Sequence, residues 1–168
     1  MTTDPSARVQ ILRPTSDADR GWLEAMWNSK WGGEVMVTRG TAHRLTDAVT
    51  FIARCGGEPV GAATFVGTTA NSGIELLSLN AIVPRRGVGS ALLAAVENHA
   101  RADGFHRIWL ITTNDNLDAL RFYQRRGYVI AAVHSGAVDR ARRLKPGIPE
   151  VGYYGIPIHD EVELHKGL

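Results

Sequence analysis

Gly73-Ile74-Glu75-Leu76-Leu77-Ser78-Leu79-Asn80-Ala81-Ile82-Val83-Pro84-Arg85-Arg86-Gly87-Val88-Gly89-Ser90-Ala91-Leu92-Leu93 changes its hydrophobic period midway, and that change decides the fold. Up to Val83 the residues are mostly apolar and follow the turn signal Asn71-Ser72-Gly73, as a strand does. From Val88 the apolar positions are Val88, Ala91, Leu92, Ala95 and Val96, the i, i+3, i+4, i+7, i+8 spacing of one helix face. Glu97, Asn98 and Arg101 fall outside that face, and Gly104 sits where a left-handed C-terminal residue belongs. Residues 105–112 form the next strand, continuously apolar through Ile108-Trp109-Leu110-Ile111, which implies burial on both faces as in a parallel crossover. Residues 73–112 therefore read as strand–helix–strand, with a right-handed connection expected.

Working outward, residues 48–54 and 59–66 are β-rich runs separated by a segment containing Gly56-Gly57, which reads as a hairpin. Further back, Val9 and Ile11 alternate with Arg8 and Gln10 as in a half-buried strand. Thr15-Ser16-Asp17 offers N-caps for a helix reaching about Trp31, stopped by Gly32-Gly33. Residues 34–38 suggest a short strand and Arg39-Gly40 a turn. On the other side, Asn114-Asp115-Asn116 caps a helix that ends by Gly127, and residues 128–133 form another strand. Residues 138–144 suggest a short basic helix, and Pro149 and Pro157 keep 146–157 extended or turned. Val162 and Leu164 alternate with charges as in a final edge strand over 161–165. The reading is one mixed α/β domain over 1–168, with a mostly antiparallel sheet.

Composition narrows the classes. The 168 residues are 44% apolar and 21% charged, close to globular averages. A net charge of +2 gives no argument for nucleic acid, although Arg85-Arg86, Arg125-Arg126 and Arg142-Arg143 are local doublets. Cys55 is the sole cysteine, which rules out an intrachain disulfide. Residues 1–6 lack a basic-then-apolar leader pattern, and no run approaches the ~18 apolar residues of a membrane span. The expectation is a cytoplasmic protein with no membrane partner.

Gly87 and Gly89 sit between a strand and a helix, where free N–H groups and the helix dipole favour a phosphate. Glycine lets the backbone approach the oxygens closely. Arg85 and Arg86 add charge and Ser90 a hydroxyl. A dinucleotide fingerprint needs a third small residue where Leu92 stands, and a P-loop needs a Gly-Lys pair that is missing there.

A second motif lies downstream: Asn116-Leu117-Asp118-Ala119-Leu120-Arg121-Phe122-Tyr123, then Arg126-Gly127-Tyr128. Together with Gly87-Val88-Gly89 it resembles the GNAT superfamily of N-acetyltransferases, whose marks are a Gln/Arg-x-x-Gly-x-Gly/Ala loop followed by Asn-x-x-Ala-x-x-Phe/Leu-Tyr. One departure is that Val83-Pro84 runs straight into Arg85-Arg86-Gly87, so Pro84 stands three before Gly87 and the loop is shortened. Either arginine is left to supply the charge.

The resemblance implies an acetyl-CoA-binding core over about 73–133, with 134–168 on the acceptor side. It implies acetyl transfer to a small-molecule or peptide amine by direct attack in a ternary complex, with acetyl-CoA as cosubstrate and no metal. The coenzyme would be held by Arg85, Arg86, Gly87, Val88, Gly89 and Ser90, by the backbone at Leu79, Asn80 and Ala81, and by Asn116. Tyr123 matches the general acid toward the coenzyme A sulfur, or is a core aromatic. Glu75 matches the general base, or is an outward-facing strand charge. Asn116 is a coenzyme ligand, a helix cap or both. Trp22, Trp27 and Trp31 line an acceptor groove or pack the core, and Asp160, Glu161 and Glu163 attract a cationic amine or balance nearby arginines. A non-catalytic acyl-CoA-binding module is the alternative, and a homodimer is left open.

Overall fold

Ser16 ends the N-terminal strand β1 (Gln10–Leu12) by turning the chain into α1 (Asp17–Trp31). Its hydroxyl accepts from the Asp19 N–H while the Asp19 carboxylate accepts from the backbone N–H groups of Ser16 and Thr15, a reciprocal cap. Those backbone donors and the Arg54 guanidinium pull the Asp19 carboxyl down to about 2. Gly32, left-handed at φ 67°, ends the helix. The structure is a computed structural model that describes residues 8–68, 73–83 and 87–168.

Beyond α1 come β2 (Val35–Thr38) and β3 (Thr41–Arg44), a hairpin turned by Arg39 and Gly40. Then follow β4 (Val49–Cys55), β5 (Glu58–Thr68), β6 (Gly73–Ala81), α2 (Val88–Ala102) and β7 (Arg107–Thr113). The chain finishes with α3 (Leu117–Gln124), β8 (Val129–His134), α4 (Ala137–Ala141) and β9 (Glu161–Gly167). Seven strands form one sheet in the order β1-β4-β5-β6-β7-β9-β8, and β2-β3 stand apart. Only β6 and β7 run parallel, so the mixed, mostly antiparallel sheet and the strand–helix–strand core match the sequence reading.

Two places differ. The 161–165 alternation reads as an edge strand, yet β9 lies between β7 and β8, and β8 is the edge. Glu161 through Leu164 are all buried, because the face that carries the glutamates is covered by protein rather than by water. The second is β3, where Thr41–Arg44 carries no apolar alternation and is a strand only because β2 pairs with it.

The sheet has a core on each side. Ile74, Leu76, Ile108, Leu110 and Leu164 meet Val88, Leu92 and Val96 of α2 and Tyr123 of α3. Ile52, Ala62 and Leu77 meet Leu23, Met26 and Trp27 of α1. Trp27 is buried in the second cluster and Trp22 and Trp31 pack against it partly buried, so the tryptophans serve the core, while Trp27 also borders a pocket with Pro14 and Leu45. Full burial of a leucine or valine stabilises by roughly 1.5–3 kcal/mol, and Leu92 and Val96 are both 0% exposed. Among the described residues no helix is long and apolar enough to cross a membrane.

Gly61 sets how closely these layers approach. A Cβ there would stand 2.5 Å from the Asn80 carbonyl oxygen and 2.8 Å from Val88 Cγ1, so β6 and α2 sit where only glycine fits. Gly61→Ala is expected to destabilise the protein by about 1–3 kcal/mol, read as a lower urea midpoint. An unchanged midpoint would show that the approach is not this tight.

Candidate active site

The parallel pairing of β6 with β7 covers Gly73–Leu76 against Arg107–Leu110 and goes no further. Leu79, Asn80 and Ala81 keep their antiparallel partners Ala63, Ala62 and Gly61 on β5, while Ile111, Thr112 and Thr113 stay with β9. The register slips between Thr64 and Phe65, leaving Leu77 as the extra residue of β6, and a bulge of this kind bends a strand. The sheet therefore opens between β6 and β7, and the opened β6 segment has backbone groups on that side with no strand opposite. Ser78 Oγ and Asn80 Nδ2 are buried here without a hydrogen-bond partner. A buried, unsatisfied donor costs about 1–3 kcal/mol unless something meets it.

α2 begins at the end of the opened strand. Gly87 is its left-handed N-cap at φ 70° with no side-chain cap, and the first helical bond runs from the Ala91 N–H to the Gly87 carbonyl. The Val88, Gly89 and Ser90 N–H groups precede that bond and are the free donors of the first turn. Gly89 faces the Phe122 ring, 3.4 Å from where a Cβ would stand, so α2 and α3 are in close contact. Arg85 and Arg86 lie outside the described residues. A third arginine reaches the cradle: Arg126 donates to Ser90 Oγ at 2.6 Å, to the Phe122 carbonyl at 2.8 Å, and stacks 3.6 Å over the Phe122 ring. Its sequence signal was one more basic doublet, and nothing local connects it to Ser90.

Asn116 is the N-cap of α3, its Oδ1 accepting from the Ala119 N–H at 3.1 Å, so the cap reading holds. Tyr123 is 7% exposed, between Phe122 and Tyr128 with ring centroids 5.1 and 5.5 Å away. Burial pushes its phenol well above the ordinary value, which keeps it protonated at neutral pH.

Glu75 is not an outward-facing charge. It is 2% exposed, accepts from Thr38 Oγ1 at 2.6 Å and lies 3.5 Å from His43 Nε2. Burial raises its carboxyl, the neighbouring Glu161 and Glu163 add to the rise, and the Thr38 hydroxyl and Arg39 charge oppose it. Burial likewise raises Glu161, and it lowers His43. The β2-β3 hairpin covers this face, with Arg39 N–H donating to Glu161 and its guanidinium 3.7 Å from Glu163 and 5.8 Å from the Trp109 ring centre. Glu163 also meets His134 at 3.1 Å and Arg107 at 3.2 Å, while Asp160 accepts from the Gly136 N–H. The tail acids thus divide: Asp160 shapes a loop, whereas Glu161 and Glu163 join the Glu75 cluster.

Strand alternation puts Glu75 on the face opposite Ile74 and Leu76, which share the core that holds Tyr123. Glu75, in the part of β6 still paired with β7, and Tyr123 thus stand on opposite faces of the sheet. Such an arrangement is suited to acyl transfer to a nucleophile. Thr38 and Arg39 read in the sequence only as the end of a short strand and a turn, and His43 carried no reading as a site residue. Their one signal was Glu75 itself, a charge in an apolar strand that had to be met by something. Among the described residues no group of three or more His, Cys, Asp or Glu side chains is arranged to hold a metal ion.

Residues 15–128 match a family model described as the acetyltransferase (GNAT) family. YdhI, an uncharacterized protein of Bacillus subtilis strain 168, is 39% identical over 159 residues, 94% of this chain and 98% of its own length. Among solved structures, an IAA acetyltransferase from Bacillus cereus ATCC 14579 has a TM-score of 0.74 at 20% identity, covering 96% of this chain and 100% of that one. A GNAT family acetyltransferase from Elizabethkingia anophelis, solved with acetyl-CoA bound, has a TM-score of 0.68 at 17% identity over 95% and 98% of the two chains. At those identities the structural likeness is one of fold.

The Thr38 hydroxyl stabilises the charged form of Glu75, so its removal leaves burial less opposed. In Thr38→Val the Glu75 carboxyl, followed by carbon-13 NMR, is expected to titrate at higher pH than in the parent, and in both above the ordinary 4.5. A midpoint that stays put or falls would remove Thr38 from this role.

Proposed function

The chain belongs to the acetyltransferase (GNAT) family, and from that premise we propose that it moves the acetyl group of acetyl-CoA to an amine by direct attack in a ternary complex. The observation that carries this is the opening between β6 and β7, with Glu75 on one face and Tyr123 on the other.

Acetyl-CoA as substrate takes the α2/α3 side of this reading. Its pyrophosphate meets the Gly87, Val88, Gly89 and Ser90 backbone, with Arg85 or Arg86 supplying charge and Arg126 adding a second cation through Ser90. Pantetheine runs along Leu79, Asn80 and Ala81, extending the sheet as an added strand would. Asn116 holds the start of α3 and borders the coenzyme. The amine enters from the hairpin face.

Attack forms a bond from the amine nitrogen to the thioester carbon, and the carbonyl oxygen takes up negative charge, stabilised by the free N–H groups of β6. Glu75 accepts the ammonium proton, directly or through a water. Collapse breaks the carbon–sulfur bond, the Tyr123 hydroxyl protonates the departing thiolate, and the second proton lost by the nitrogen returns through solvent to restore that hydroxyl. The raised carboxyl suits a base that works near neutrality, because a stronger base takes the proton more readily once ionised. The raised phenol keeps Tyr123 in the protonated form the last step needs.

Glu75→Gln and Tyr123→Phe are each expected to lower kcat by roughly 10²–10⁴ with an amine panel, while calorimetric affinity for coenzyme A stays near that of the parent. The acid limb of the kcat/KM profile should lie above pH 4.5 and vanish in Glu75→Gln. A protein that binds coenzyme A yet acetylates no amine, and whose variants behave as the parent does, would instead be a binding module.

A further inference from the structure

The basic residues between β8 and β9 divide into two kinds. Arg142 donates to the carbonyls of Ile148, Pro149 and Ile158 and pairs with Asp139. Lys145 caps the carbonyls of Trp31 and Val35 at the α1–β2 corner. Both hold the segment in place. Arg140 reaches only the Ser135 carbonyl at 3.2 Å, and the Arg143 guanidinium has no partner among the described residues.

Arg140 and Arg143 line one pocket, together with Arg39, His134, Leu144 and Glu161. Glu161 is the only carboxylate in that lining, and burial pushes it toward the neutral form. Three guanidiniums therefore line the cavity against one lining carboxylate, with Glu163 pairing only Arg39 of the three from outside that lining, and like charges gathered around a cavity favour an anion inside it. The pocket also adjoins the base. Thr38 hydrogen-bonds Glu75, the next residue is Arg39, and the Arg39 N–H donates to Glu161.

We propose that this pocket receives an anionic group on the acceptor, so that the acetylated substrate is a small amine carrying a carboxylate or a phosphate. Arg140 and Arg143 take the anion by charge-assisted hydrogen bonds, while the amine faces Glu75. The inference rests on the acetyl-transfer reading and adds the acceptor class to it. A polycationic amine, by contrast, would place its further charges against three arginines.

The test compares L-amino acids with their carboxamides, and phosphoethanolamine with ethanolamine, at saturating acetyl-CoA. The anionic member of at least one pair is expected to have the higher kcat/KM by about tenfold or more, and the pair that shows it distinguishes carboxylate from phosphate. In the double variant Arg140→Ala, Arg143→Ala that ratio should collapse toward one, with coenzyme A affinity confirming an intact donor site, and Arg143→Lys should keep part of it. Acetylation without preference for the anion, or a ratio unchanged in the double variant, overturns the proposal and leaves acetyl transfer standing. Should no amine be acetylated, acetyl transfer fails, and N-acetylglycinate against N-acetylglycinamide decides the pocket by NMR titration of the coenzyme A-bound protein. Shifts at the Arg140 and Arg143 side chains with the anion alone support it, and equal or absent shifts overturn it.

Discussion

Pairing between β6 and β7 stops at Leu76 and Leu110 although both strands continue, and most of the site follows from that interruption. Each strand has a stronger claim on its other side: β6 is held along its length by β5, and β7 is paired from end to end with β9. The bulge at Leu77 turns β6 away, while α2, docked against Gly61, occupies the space below. The backbone groups released by the opening must find partners elsewhere, because buried donors and acceptors are rarely left unmet. Ser78 Oγ and Asn80 Nδ2 share that condition.

The hairpin β2-β3 matters for a different reason. Glu75, Glu161 and Glu163 share one sheet face, and three buried carboxylates cannot all remain charged without help. Thr38, the Arg39 backbone and guanidinium, Arg107 and His134 supply that help from three strands and the turn of the hairpin. Compensation is partial, since Glu75 and Glu161 both stay above the ordinary carboxylate range. A structural ion-pair network would be expected to lower such groups. Burial instead outweighs the partners gathered around these two carboxyls.

Reading the chain in order recovered what depends on neighbours in sequence. Ser16 and Asp19, three residues apart, close their cap whatever lies beyond α1, and Gly32 and Gly104 adopt left-handed conformations at or near helix ends where no Cβ is tolerated well. The five apolar positions from Val88 to Val96 point one helix face at the sheet, and three of them, Val88, Leu92 and Val96, are at most 2% exposed. Asn116 and Tyr123 stand at a fixed motif spacing, and Asn116 caps the short helix that carries Tyr123. The misreading of 161–165 is instructive. Alternating charge and apolar residues ordinarily mean one wet face, but here the second face lines the site.

The sequence by itself determined most of the elements, their caps and turns, the mixed sheet and the glycine turn before α2, because each rests on interactions within a few residues or on a period of 2 or 3.6. Only the tertiary structure decided that β9 inserts between β7 and β8, that Thr38 and His43 enclose Glu75, and that Arg126 reaches Ser90. Those contacts join residues far apart along the chain, so no local spacing encodes them. They exist because strand pairing and burial across the whole sheet leave each of these groups no better partner.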